Sequence, residues 1–349
     1  MAPTDPTPHK IPPNILVIVL DDVGVDKLGL FDANQVAPPY ARTPRMDALA
    51  AGGVKFTNVY ANPICSPTRA CIQTGRYPFR TGMGGNAGVY LLPDSEVLLA
   101  KLLKEGLPPQ QAYTCGAFGK WHLTPYDLSN ETYLTHAVRH GYNRFFGTLD
   151  NTSNHFTWTK VEYNQGWASP NLVAISNHWS ADVVRADAAS WINSRTFNRP
   201  HFAYVAFNPP HDKFQVPAFQ TQDGRPLLSA ETRTALAGAQ PGDEPMSPFH
   251  RELFYRAGIE AVDSEIGYLL DDIQQRLEHT MVFVVGDNGT PRRVITPPHD
   301  TNHGKTTFYQ HGIRVPMIVS GPLVRRPIPL GGHVCPALVD AVDLWSTIA

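Results

Sequence analysis

Residues 14–20 read Asn-Ile-Leu-Val-Ile-Val-Leu, with no polar side chain from Ile15 to Leu20. A half-exposed strand would alternate and an amphipathic helix would recur every three to four residues. A short unbroken β-branched run instead reads as a strand covered on both faces. Such strands belong to parallel sheets with helices on each side, so this run places the chain in the α/β class. His201–Phe207 (HFAYVAF) and Met281–Val285 (MVFVV) repeat the signal. Further strands are expected over Val54–Tyr60, Ala112–Phe118 and Val315–Val319. Helical patterns cover Thr43–Gly52, Asp94–Gly106, Ser180–Ser194 and Phe249–Leu277. Tyr126–Asn177 reads as loops and short strands that can shape a pocket, with Tyr133, Phe156, Trp158, Tyr163 and Trp167 suiting a ring. Thr221–Ser247 reads as an exposed insertion, and Cys335–Ala349 as the start of a helix.

Composition narrows the function. The formal net charge is -2, so nothing global draws the chain to nucleic acid or an acidic membrane. No apolar run approaches the roughly 20 residues of a membrane span. The first 13 residues carry no signal-peptide pattern, which leads to the expectation of a cytoplasmic protein. Four cysteines, Cys65, Cys71, Cys115 and Cys335, are too few and too widely spaced for a disulfide scaffold or a Cys₄ zinc site. The last three read as inert buried thiols.

Polar chemistry collects where the strands end. Asp21-Asp22 follow the first strand, and no G-x-G-x-x-G follows them, which argues against a dinucleotide. Adjacent carboxylates leaving a buried strand need compensation, by a divalent cation or by capping. Cys65-Ser66-Pro67-Thr68-Arg69 places a thiol ahead of a proline suited to the first helical position, with an arginine one turn on. Backbone N–H groups at a helix start favour an anion there. Lys120 and His122 follow the third strand, His211 the fourth and Asp287-Asn288 the fifth. Open α/β sheets bind ligands beyond the carboxyl ends of their strands. The collected oxygen donors suit Ca²⁺ or Mg²⁺, and the arginine, lysines and histidines suit an anion.

Together these residues resemble the cysteine-type, formylglycine-dependent sulfatases of the alkaline-phosphatase superfamily. The modification signature is Cys65-x-Pro67-x-Arg69 with Thr74-Gly75-Arg76 downstream. The supporting pieces are Asp21-Asp22-x-Gly24, Gly119-Lys120-Trp121-His122, Pro210-His211, Asp287-Asn288-Gly289, and Gly304-Lys305 before Gly312-x-Arg314-Val315-Pro316. The resemblance implies an alkaline-phosphatase-like sandwich, with a large mixed, mostly parallel central sheet flanked by helices. It implies a flexible segment over residues 1–13, a catalytic domain over 14–349, and a small C-terminal subdomain that is missing or truncated. It also implies that a formylglycine-generating enzyme converts Cys65 to formylglycine. Asp21, Asp22, residue 65, Asp287 and Asn288 would hold Ca²⁺, with Mg²⁺ or Mn²⁺ as substitutes. A hydroxyl of the hydrated aldehyde would attack the sulfur of a sulfate ester and form a covalent sulfo-enzyme. Arg69 and Lys120 would orient that group, His211 and Lys305 would bind the sulfate and help protonate the leaving alcohol, and His122 would act as the later base.

Other readings accompany this one. A phosphonate or phosphate ester hydrolase of the same superfamily would use the same parts, and an unmodified Cys65 would leave a non-catalytic anion-binding protein. Asp26, Asp32, Asp150 and Asn151 read as surface or turn groups. Lys213 reads as solvated or as a further positive charge in the pocket. Substrate selectivity is expected in Tyr126–Asn177 and Gln215–Ser247.

Overall fold

A computed structural model describes residues 11–32, 39–324, 327–329 and 331–349. Most of the segment expected to be flexible, residues 1–10, lies outside the described residues. The strands are β1 (Asn14–Leu20), β2 (Val54–Tyr60), β3 (Thr114–Lys120), β4 (Arg144–Thr148) and β5 (Thr157–Asn164). They continue with β6 (Asn171–Ser176), β7 (His201–Ala206), β8 (Thr280–Gly286), β9 (Met317–Ser320) and β10 (His333–Asp340). The principal helices are α1 (Pro44–Ala51), α2 (Cys65–Thr74), α3 (Leu99–Glu105), α4 (Ser180–Asn193) and α5 (Pro248–Asp272).

All ten strands form one sheet in the order β10-β2-β9-β8-β1-β7-β3-β4-β5-β6. At its centre β8, β1, β7, β3 and β4 run parallel. β9 is antiparallel to both β8 and β2, which turns β2 back to the direction of the central block. The carboxyl ends of β8, β1, β7, β3, β4 and β2 therefore share one edge of the sheet.

The unbroken apolar run of β1 has a direct cause in packing. Leu16, Ile18 and Leu20 enter a core beneath α1, α4 and α5, while Ile15, Val17 and Val19 enter a second core beneath α2 and α3. Each fully buried side chain of this kind stabilises the fold by about 1.5–3 kcal/mol. Asp263 of α5 ties two helices together by accepting the N–H groups of Arg45 and Met46 at 2.9 and 2.8 Å, at the start of α1. Burial pushes its carboxyl up to about 7 despite those two bonds.

Three expectations are corrected. The helix expected over Asp94–Gly106 occupies only Leu99–Glu105. Thr221–Ser247 is not simply exposed, since Leu227, Leu228 and Leu236 are buried in the core. Cys335–Ala349 begins as β10, parallel to β2, and only Asp343–Ile348 is helical. Pro336 lies within this strand although proline cannot donate to a ladder. β10 tolerates it as an edge strand whose register shifts between Cys335 and Leu338. Among the described residues no helix is long and apolar enough to cross a membrane.

Candidate active site

Cys65 is the first residue of α2, with Ile64 as its extended N-cap, so Pro67 is the third helical residue rather than the first. Its missing N–H still falls in the first turn, where no intrahelical acceptor exists. All ten residues of α2 are buried, and the helix stops at Gly75, whose φ of 65° is left-handed. A methyl group there would also lie 2.9 Å from Trp345.

Asp21 and Asp22 leave β1 through a tight turn in which Asp22 has φ 62°. A non-glycine residue in that region is uncommon, and such strain clusters at functional sites. Tyr255 of α5, fully buried, donates its hydroxyl to the Asp22 carbonyl at 2.6 Å. The Asp22 N–H donates to Asp287 Oδ1 at 3.1 Å, which joins the loops after β1 and β8. Gly24 permits that approach, because a Cβ there would lie 2.4 Å from Thr290 Oγ1. Asp26 is buried, and Thr290 Oγ1 donates to it at 2.6 Å, so it is a structural clasp and not a surface group.

Nine of the ten candidate residues are joined by direct contacts. The Cys65 thiol lies 3.6 Å from Asp21 Oδ1 and 3.9 Å from Asp22 Oδ1. Lys305 Nζ lies 2.5 Å from Asp22 Oδ1, 3.4 Å from Cys65 Sγ and 3.3 Å from His211 Nε2. Lys120 Nζ donates to Asp21 Oδ2 at 2.6 Å. Arg69, fully buried, donates to Asp287 Oδ2 through Nε at 3.0 Å and Nη2 at 2.8 Å, and through Nη1 to the Lys120 carbonyl at 2.8 Å. Asn288 Nδ2 donates to Asp22 Oδ1 at 2.8 Å, while Asn288 Oδ1 is buried with no partner among the described residues.

His122 departs from expectation. It lies beyond the end of β3 with a left-handed φ of 56°, outside the extended line of the strand. It faces Asp150 instead, with Nε2 2.9 Å from Oδ1. Burial, reinforced by the Lys120 charge, pushes the His122 imidazole down to about 4, with Asp150 opposing. The neutral ring therefore donates Nε2–H to a carboxylate and keeps its lone pair on Nδ1, which is buried without a partner among the described residues. Asp150 lies in the bend after β4, where it accepts the Asn151 N–H at 2.6 Å, and it also faces a candidate site residue. It follows β4, and the strand-end rule would have exposed it had that strand been read. Lys213, half-exposed, pairs with Glu244 at 3.8 Å.

Electrostatics separate the roles. Burial pushes the Cys65 thiol far up, and the charge of Asp287 adds to it. Burial also raises Asp287, with Asp21 adding and Arg69 opposing. Asp22 is held well below the usual carboxylate range, because Lys305, His211 and Lys120 together outweigh its burial. Burial holds the His211 imidazole well below its ordinary value, against the pull of Asp22.

Two carboxylates, a thiol and an imidazole form a possible cation site, mixing hard oxygen donors with softer sulfur and nitrogen. Asp21, Asp22, Cys65 and His211 bring one ligand atom each to within 4.8 Å of one another. The unpartnered oxygen of Asn288 adds an amide donor of the kind Ca²⁺ accepts.

The sequence model described as Sulfatase matches residues 13–349. Steryl-sulfatase of Mus musculus is 42% identical over 156 residues, covering 42% of this chain and 23% of that protein. N-acetylgalactosamine-6-sulfatase of Canis lupus familiaris is 28% identical over 375 residues, covering 96% of this chain. The chain spans 61% of the length of that relative. The PsFucS1 sulfatase from Pseudoalteromonas sp. superposes with a TM-score of 0.71 at 21% identity, covering 98% of this chain and 68% of that one. This likeness bears out the expected architecture of a large mixed, mostly parallel sheet flanked by helices.

Proposed function

The chain belongs to the sulfatase family, and on that premise we propose that it hydrolyses a sulfate ester at the Cys65 cluster. One observation carries the reading. Cys65 sits among Asp21, Asp22, His211 and Lys305, and burial pushes its thiol pKa up, which disfavours the thiolate. A thiol is a poor nucleophile, so this pocket does not favour cysteine as the attacking group. The surroundings suit a residue oxidised at this position.

As hydrated formylglycine, residue 65 would supply a hydroxyl nucleophile, and a divalent cation held by Asp21, Asp22, Asp287 and Asn288 would supply positive charge beside it. The chain's own side chains do the rest. Arg69 clamps Asp287 with two hydrogen bonds and holds the β3 terminus through the Lys120 carbonyl. Lys120 fixes Asp21. Lys305 and His211 touch each other at the cavity floor, where they would bind sulfate oxygens and deliver a proton to the departing alcohol. His122, neutral and oriented by Asp150, would accept a proton at Nδ1.

Co-expression with a formylglycine-generating enzyme tests this. The tryptic peptide containing residue 65 is expected to lose about 18 Da, as thiol-to-aldehyde conversion requires. The converted protein is expected to hydrolyse 4-nitrophenyl sulfate faster than 4-nitrophenyl phosphate or phenylphosphonate esters, and Cys65→Ala to abolish the activity. A converted protein that prefers the phosphonate overturns the sulfate assignment.

A further inference from the structure

A cavity of about 380 Å³ opens over the site. Asp22, His211 and Lys305 contribute to its floor, and Asp212, Arg292 and Arg293 to its wall. The two arginines are differently engaged. Arg292 donates through Nη2 to Thr306 Oγ1 at 2.6 Å and through Nε to the Lys305 carbonyl at 3.3 Å. It thereby braces the chain at Lys305, where Thr306 has a left-handed φ of 78°. Arg293 instead reaches from the loop after β8 to the loop after β7, with Nη1 3.7 Å from Asp212 Oδ2.

That second pair is poorly explained by stability. Its side chains are 69% and 56% exposed, and exposed ion pairs contribute only about 0–1 kcal/mol. Asp212 directly follows His211, so the pair stands one residue from the group that would bind the ester. We propose that Arg293, with Asp212 as its resting partner, selects substrates that carry a second anionic group, a sulfate or carboxylate, on the alcohol half.

The proposal rests on the sulfate-ester reading and deepens it. A guanidinium presents a planar fork that matches sulfate and carboxylate oxygens two at a time. A cavity of this volume lies at the small end of ligand sites, enough for one ring bearing the ester. A further charge on that ring or the next would meet the wall. Asp212 neutralises Arg293 in the resting state, so a monoanionic ester is not trapped at the wall and away from the floor. A dianionic substrate exchanges one carboxylate for its own anion, which costs little because the pair is weak. An alcohol that is wholly apolar would have to desolvate both charges without return.

The test compares a monosulfated sugar with the same sugar carrying a second sulfate or a carboxylate, using protein converted at residue 65. The wild type is expected to prefer the dianion by about ten-fold in kcat/KM, the worth of one charged hydrogen bond. Arg293→Ala is expected to erase that preference through KM. Asp212→Asn, which removes the competing carboxylate, is expected to lower KM for the dianion. These opposite signs would not arise from a merely structural pair. Equal rates on both sugars in the wild type, or equal losses on both in Arg293→Ala, overturn the proposal. If the converted wild type hydrolyses no sulfate ester, the sulfatase reading fails, and calorimetric binding of the same two sugars decides the subsite. Tighter binding of the disulfated sugar, lost in Arg293→Ala, upholds it, whereas equal binding overturns it.

Discussion

Asn288 donates its amide N–H to Asp22 Oδ1 at 2.8 Å and leaves its own carbonyl oxygen buried beside the carboxylates without a partner among the described residues. A buried acceptor in that condition costs about 1–3 kcal/mol. Coordination to a cation removes that cost. Adding Ca²⁺ at about 100 times its dissociation constant is expected to stabilise the fold by about 2.7 kcal/mol. Thermal unfolding with Ca²⁺ and with EDTA measures it, and Asn288→Ala should shrink the difference. Identical melting curves in both buffers count against the cation.

Tyr255 should matter although it lies on a helix outside the strand-end cluster. Its hydroxyl holds the carbonyl of the left-handed Asp22 at 2.6 Å. Tyr255→Phe keeps the packing and removes one buried hydrogen bond, a loss of about 1–3 kcal/mol. Urea unfolding is expected to show it, and Ca²⁺ titration should show weaker binding because Asp22 loses its anchor. Unchanged Ca²⁺ affinity would mean that the turn holds without the tyrosine.

Asp150 is expected to act through His122. Asp150→Asn removes the carboxylate that fixes the tautomer with its lone pair on Nδ1. A fall in kcat of about 100-fold or more is expected, as general-base catalysis is worth about that much. The pH profile separates this from a structural effect. Asp150 raises the His122 pKa against burial. The variant's acidic limb should therefore move below the limb near pH 4, and a profile that only scales in height would refute the assignment.

His136 gives a prediction for stability. Trp121 Nε1 donates to His136 Nδ1 at 3.1 Å, so the ring is neutral and its Nε2–H faces the Leu92 carbonyl at 2.9 Å. Burial, with His140 adding, pushes it from 6.5 down to about 3. A depressed pKa contributes stability that is present above pH 6.5 and lost as pH falls toward 3. The wild-type advantage over His136→Gln should therefore shrink by about 2 kcal/mol between pH 7 and pH 5. Urea midpoints at the two values check it, and a gap independent of pH would contradict it.

Much of the candidate site was legible because its members follow strands that announce themselves. Asp21, Asp22, His211, Asp287 and Asn288 sit just past apolar runs, and Lys120 ends β3. The residues not read as neighbours of the site sit where the local pattern is weak. Asp150 follows β4, whose sequence Arg-Phe-Phe-Gly-Thr is short and has a polar residue at each end. Tyr255 is one aromatic residue among many on α5, and nothing in its spacing separates it from core. The cavity wall comes from Asp212, Phe214 and the residues near Arg293, whereas Trp158, read as a candidate ring partner, is buried.

The sequence by itself determined the α/β class, the two-sided burial of β1 and a helix beginning close to Pro67, because each follows from side chains near one another in the chain. Only the tertiary structure decided which strands are neighbours. β7 lies between β1 and β3, and this order brings the ends of chain segments far apart in sequence to one edge. The contacts His122–Asp150, Tyr255–Asp22 and Arg293–Asp212 follow from that order. Their partners are 28, 233 and 81 residues apart, so they share no periodicity that a linear pattern can carry.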